Sequence, residues 1–308
     1  MRTRHDAEDG RCRGAPAFAA NLQSAIATCA SVLAAVGFGL VPIFAKNLTD
    51  AGIAAQAVAF YRYLLVAIVL LPFLSIGQGM RSATLWGVLC GAAMGIGWTG
   101  YVKAVESAPV STVGILYMTY PMFTLAIAWL LFRQQPGFRS IVAALTVLTA
   151  AVVATTPALT GNERISALLI ALTAPVTFGF AINVLANKLS SIPPLSRIAS
   201  VALGAVLGLL PLIVSLEAER LLPASPADWW MIVGIAVVTA LIPQLLYVIS
   251  APRIGAAKSA MAGSMELPTM LLVGWLAFGE PIGPTQLVAA AMLLTAVAIT
   301  PNRRLEPE

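Results

Sequence analysis

The sequence predicts an all-α membrane protein of ten transmembrane helices, arranged as two inverted five-helix repeats. Three observations predict it. The chain is 59% hydrophobic and only 10% charged over 308 residues, a balance that excludes a soluble domain. Its charges are separated by uncharged windows at Gly14–Ala45, Ser82–Val102, Ser107–Phe132, Ser140–Asn162, Ile165–Asn187, Ile198–Leu216, Trp229–Pro252 and Pro281–Asn302. Each is about as long as the roughly 20 residues that cross a hydrocarbon core. Third, YVKAVESAPVSTVGILYMTYPMFTLAIAWLLF at Tyr101–Phe132 aligns without gaps on YVISAPRIGAAKSAMAGSMELPTMLLVGWLAF at Tyr247–Phe278. The two share an opening Tyr-Val and a closing Trp-Leu-x-Phe. With five spans per half, the second half enters the bilayer from the opposite side. Inverted repeats of this kind build sites that open to either face of a membrane.

The expected spans are 24–45, 54–75, 84–105, 110–132, 138–158, 165–187, 197–217, 229–250, 256–278 and 284–301. The first follows a tail, 1–23, that mixes arginines with Asp6, Glu8 and Asp9 and reads as short and disordered. A cleaved signal peptide ending near AFAA is the other reading of that tail. The second span, around AFYRYLLVAIVLLP, carries Arg62. In the third, Gly87, Gly91 and Gly95 lie four apart, and Gly204 and Gly208 repeat that spacing in the seventh. Small residues at this spacing let helix backbones approach closely in lipid. The ninth span carries Lys258, one turn in and read as an anchor at the inner interface, and Glu266 near its middle. Connections such as GQGMRSAT, ESAPVS, RQQPGF, TPALTGN, SSIPPLS, LLPASPAD, APRIG and GEPIGP are short and marked by Pro, Gly or Ser. The first repeat therefore occupies 24–158 and the second 165–301, with a short tail at 302–308. No connection holds a soluble domain, so whatever the chain does occurs within or across the membrane.

Charge placement orients the bundle. With the N-terminus in the cytoplasm, Arg2, Arg4, Arg11, Arg13, Arg81, Arg133, Arg139, Lys188, Arg197, Arg253, Arg303 and Arg304 all fall inside. The outer connections hold only Lys46, Arg164 and Arg220 among bases, against Asp50, Glu106, Glu163, Glu217, Glu219, Asp228 and Glu280. That asymmetry follows the positive-inside rule and places both termini in the cytoplasm. The formal charge of +5 thus reflects topology and gives no indication of nucleic acid. Cys12, Cys29 and Cys90 suggest no disulfide framework.

The ordered set AFYRYLLVAIVLLP, YxxAxxxxPVSxxxxLxxxYP (Tyr101–Pro121) and ELPTMLLVGWLAFGEPIG resembles the drug/metabolite transporter superfamily and its EamA-type members, over residues 24 to 301. The resemblance implies five-plus-five inverted repeats around a central cavity, and coupling-ion-driven or exchange transport of small metabolites. It also identifies Glu266 and Glu280 with the family's Glu-Pro element and its span-ending Glu. The chain departs from the pattern at the end of the fourth span, where Arg133-Gln134-Gln135 stands in place of an acid.

Ionisable groups within a bilayer are costly, about 2.5–3.5 kcal/mol at mid-span on insertion scales, so each calls for a reason. Glu266 is the sharpest case: the repeat alignment sets it opposite Tyr120, both at mid-depth, where a substrate or proton site belongs in such folds. It is expected to bind an amine or carry a coupling proton, or else to pair structurally with Arg62 or Lys103. Arg62 reads as a carboxylate ligand or, since the resemblance places an Arg here whatever the substrate, a structural or gating group. Lys103 either reaches the cavity or snorkels to the outer surface. Asn183 and Gln244 serve as cargo contacts or interhelical ties. Trp98, Tyr117 and Tyr120 offer an aromatic wall for an apolar or cationic moiety. Pro121, Pro243 and Pro268 are expected to kink their helices.

Together these features lead to the expectation of a secondary active transporter, an exporter or exchanger of an amino-acid-like or amine-bearing metabolite in the inner membrane of a bacterium. An uptake carrier or exchanger for sugar or nucleotide conjugates is the alternative. Neither a cofactor nor a metal is expected; the partners are a small-molecule substrate, the lipid bilayer and a coupling proton, and the chain works as a monomer or homodimer. An intramembrane enzyme is disfavoured because the single histidine, His5, lies in the tail. A channel would want a ring of identical groups, which the spans lack.

Overall fold

The computed structural model describes residues 6–77, 79–155 and 162–299, and every regular element among them is helical. The first half comprises α1 (Asp6–Gly39), α2 (Val41–Asp50), α3 (Ala55–Leu70), a 3-10 turn at Leu71–Phe73, α4 (Arg81–Ser107), α5 (Val110–Tyr117), α6 (Tyr120–Phe132) and α7 (Phe138–Thr155). The second comprises α8 (Asn162–Ala171), α9 (Thr173–Asn187), α10 (Pro194–Val214), α11 (Ala218–Leu221), α12 (Pro226–Ala236), a π-helical segment at Val237–Leu241, α13 (Ile242–Gly263), α14 (Glu266–Phe278) and α15 (Pro284–Ile299). The connection at 156–161 and the tail at 302–308 lie outside the described residues.

Among the described residues, seven stretches are long and apolar enough to cross a membrane: Leu22–Asp50, Ala55–Phe73, Arg81–Ser107, Val110–Phe132, Ile165–Asn187, Pro194–Val214 and Pro226–Ile254. Three shorter apolar helices accompany them, at Phe138–Ala154, Glu266–Phe278 and Pro284–Ala296. Large apolar side chains face outward along these elements, including Leu130, Leu131, Phe138, Val214 and Leu276. An exterior this apolar marks a membrane surface. The protein is a multi-pass integral membrane protein.

Small residues set the tightest packing. A Cβ on Gly91 would overlap the carbonyl of Val201, and one on Gly204 would overlap that of Val88. Gly87 and Gly208 meet Ser200 and Ala92 in the same way, so the glycine rows of α4 and α10 are each other's contact surface. In lipid this close approach replaces the hydrophobic drive that packs helices in water.

The repeat seen in the sequence is also present in the backbone. α5 ends at Tyr117 and α6 starts at Tyr120; α13 ends at Gly263 and α14 starts at Glu266. Under the gap-free alignment both interruptions coincide, and so do the two ends at Phe132 and Phe278. Even the next residues match: Arg133 and Gly279 both take left-handed conformations, with φ 52° and 64°. Pro121 and Pro268 sit in the first turn of α6 and α14, where a missing N–H breaks no bond of the new helix but cannot continue the old one.

Three features depart from expectation. α1 begins at Asp6, well before residue 24, so the segment read as a disordered tail enters the first helix. α13 runs unbroken through the expected connection APRIG, because the alanine-rich segment that follows favours helix and Pro252 removes only one bond. Finally, the first and sixth expected spans are each interrupted, at Leu40 and Leu172, shortly before Pro42 and Pro175.

Candidate functional site

The paired breaks place Tyr120 and Glu266 at the first residues of α6 and α14. Glu266 is 8% exposed, and its helix presents a positive dipole end to its own carboxylate. Close contacts hold this end of α14 on two sides. A Cβ on Gly39 would come within 2.8 Å of the Glu266 carbonyl, and one on Gly114 within 3.0 Å of the Met270 sulfur. The Glu266 carboxylate lies within electrostatic reach of Arg62, Tyr101, Tyr117, Tyr120 and Tyr247. It forms no ion pair among the described residues, where only Lys103–Glu106 does.

Beside Glu266 stands a continuous group of rings. Tyr117 is its hub, with ring centroids 5.4 Å from Trp98, 5.8 Å from Tyr101, 5.8 Å from Tyr120 and 5.7 Å from Phe178. Tyr120 meets Phe178 edge-on at 4.9 Å, and Trp98 meets Tyr101 at 5.0 Å. Four helices contribute: α4 gives Trp98 and Tyr101, α5 Tyr117, α6 Tyr120 and α9 Phe178. Tyr117 and Tyr120, three residues apart across the break between α5 and α6, lie on one side.

Arg62 completes the group from α3. It is 3% exposed, and its guanidinium carbon lies 3.9 Å from the centre of the Trp98 ring. Its Nη2 donates to the carbonyl of Thr239 at 3.1 Å. That acceptor has a local cause: Pro243 has no N–H to offer the carbonyl four residues back, and the helix loosens into the π segment there. The Nε and Nη1 of Arg62 and the hydroxyl of Tyr101 are buried without hydrogen-bond partners among the described residues.

Five of the residues singled out from the sequence thus converge: Glu266, Tyr120, Arg62, Trp98 and Tyr117. Asn183 is buried and donates to the carbonyls of Thr124 and Gly179, both at 2.9 Å, which ties α9 to α6. Gln244 is half-buried just after the π segment. Lys103 pairs with Glu106 at 2.6 Å, and its side chain is 53% exposed. The structure adds Tyr101, Phe178, Tyr247 and Thr239. Tyr101 and Tyr247 had a signal in the sequence, since they are the one tyrosine kept at the same place in both repeat copies.

Residues 25–156 and 165–300 each match the EamA-like transporter family. The chain belongs to that family. The two matches fall on the two halves of the bundle, and they make the protein a membrane transporter of small molecules. No curated protein matches the sequence. A solved structure titled only "Crystal structure of protein" is similar at a TM-score of 0.59 and 16% identity, covering 89% of this chain and 96% of that one. At that identity the likeness shows the EamA-type chain's fold alone.

Proposed function

We propose that the protein is a secondary active transporter whose two halves are inverted repeats contributing five spans each, with both termini in the cytoplasm. It exports or exchanges an amine-bearing, amino-acid-like metabolite by alternating access around the paired breaks. Glu266 binds the amine or carries the coupling proton, and Trp98, Tyr117, Tyr120 and Phe178 surround the cargo's apolar part. The observation that carries this reading is Glu266 itself. It is a buried acid at a helix break, flanked by aromatic rings and without an ion-pair partner among the described residues. A structural acid would be expected to have a fixed partner, because an unpaired buried charge is costly.

Reconstitution into liposomes tests it, using a metabolite panel with and without a pH gradient. Saturable flux that accelerates with counter-substrate is expected, and Glu266→Gln should abolish it or uncouple it from the gradient. Normal transport by that variant at every pH, or single-channel conductance by the wild type, would sink the reading.

A further inference from the structure

Three donor atoms of the site remain unexplained by the fold. Arg62 can donate only, and among the described residues just Nη2 of its three nitrogens has an acceptor. Trp98 draws the charge to its ring face, which accounts for where the guanidinium sits but supplies no acceptor for Nε or Nη1. Tyr101, on a different helix, is fully buried with its hydroxyl unpartnered, and it packs on the same Trp98 ring. Buried polar groups are almost always satisfied, so three unpartnered atoms around one side chain call for a missing acceptor. Glu266 does not take that place: it reaches both residues electrostatically yet bonds to neither.

We propose that Arg62 and Tyr101 form an anion subsite that binds the carboxylate of the transported molecule. This rests on the transporter reading above and extends it to the other end of the cargo. A carboxylate has two oxygens with about four acceptor positions, enough for the guanidinium nitrogens and the phenol together. The Thr239 carbonyl fixes the guanidinium from behind, so the group is organised before cargo arrives. Glu266 is then left for the cation, and the cargo is a dipolar molecule lying between α3–α4 and the start of α14. In this conformation the three donors are sealed from water, so the carboxylate enters when the bundle opens.

The test uses the full chain in lipid nanodiscs and two matched trios of ligands. These are phenylalanine, phenethylamine and 3-phenylpropionate, and leucine, isoamylamine and 4-methylpentanoate. Calorimetry should show at least one amino acid bound about tenfold or more tightly than its amine, since a site built for a polar group rejects the analogue lacking it. Tyr101→Phe, which keeps the ring packing, should cut that preference about fivefold, and Arg62→Gln should erase it. Amine affinity should stay within about twofold in Tyr101→Phe; in Arg62→Gln the readout is the ratio of amino-acid to amine affinity, because the lost charge also acts on Glu266. A folded Tyr101→Phe protein that keeps the full preference overturns the subsite. So does equal binding of amine and amino acid, or binding of none of the six compounds. If Arg62 serves only as a counterion for Glu266, its variant weakens amine and amino acid by the same factor, which also overturns it. Flux in liposomes separates the two readings: carboxylate-selective binding without flux sinks the transporter alone, and flux without carboxylate preference sinks the subsite alone.

Discussion

Glu280 caps a helix that belongs to the other half of the chain: its carboxylate accepts from the Val110 N–H at 2.6 Å and the Ser111 N–H at 3.0 Å. α5 needs such a cap, because Pro109 precedes it and offers no side-chain acceptor. Gly279 turns the chain at φ 64°, the Glu280 N–H returns to the Gly274 carbonyl at 3.0 Å, and the carboxylate then reaches the start of α5. Its negative charge suits the positive dipole end. α5 finishes at Tyr117, the hub of the ring group, so the end of the second repeat positions one wall of the site. The first repeat has Gln134 at the equivalent place, donating to Asn187 Oδ1 at 3.0 Å. No acid is needed there, since the helix start that it would cap does not exist: α13 is continuous from Ile242 to Gly263.

Glu280→Ala should therefore destabilise the protein by about 1–3 kcal/mol, the range for losing hydrogen bonds to a charged group and leaving buried donors exposed to nothing. Thermal unfolding in detergent reads this directly. Gly274→Ala should reproduce part of the loss, because its Cβ would stand 2.7 Å from the Glu280 Oε2 and push the carboxylate off the helix end. An unchanged melting temperature in both would remove the cap from the account.

The α4–α10 seam makes a second prediction. Gly91→Ala and Gly204→Ala should each cost about 1–3 kcal/mol through overpacking, since their neighbours are backbone carbonyls that cannot rotate away. Gly137→Ala is the control, with nothing among the described residues within 4 Å of its added carbon. Fluorescence-detected size exclusion after heating should show the two seam variants aggregating at lower temperature while the control behaves as wild type.

The same residues show how far the sequence could be read. Gly87, Gly91, Gly95, Gly204 and Gly208 announced close packing by their spacing alone, and the helices that carry them do meet. The helix breaks were legible only as prolines, because a proline marks where a bond is missing and not which neighbouring helix fills the gap. Tyr120 and Glu266 came from comparing the repeat with itself. Glu280 could be recognised as a span-ending acid, but its partners are backbone N–H groups some 170 positions away, and backbone donors have no letter in a sequence. Phe178 and Thr239 were invisible for a related reason. Phe178 looks like any apolar residue of a span, and Thr239 contributes only its carbonyl.

Asn183 separates a tie from a ligand. Its amide nitrogen is committed to the carbonyls of Thr124 and Gly179, at the point where Gly179 lets α9 lie against α6. Asn183→Leu, similar in size, should lower stability by about 0.6–2 kcal/mol, the range for interhelical hydrogen bonds in lipid. Cargo affinity should hold within about twofold. A selective loss of binding, with melting unchanged, would return Asn183 to the list of cargo contacts.

Pro243 offers the last test, because it controls the acceptor that anchors Arg62. Alanine at 243 would restore an N–H that can bond the Thr239 carbonyl and close the π segment into regular α-helix. The Thr239 carbonyl would then be shared, and the Arg62 guanidinium would lose its fixed orientation over Trp98. Pro243→Ala should thus leave thermal stability equal or higher, through the added backbone hydrogen bond, while lowering flux in liposomes. Lower stability together with lower flux would instead make Pro243 a packing residue, and unchanged flux would show that the Thr239 tie to Arg62 has no part in transport.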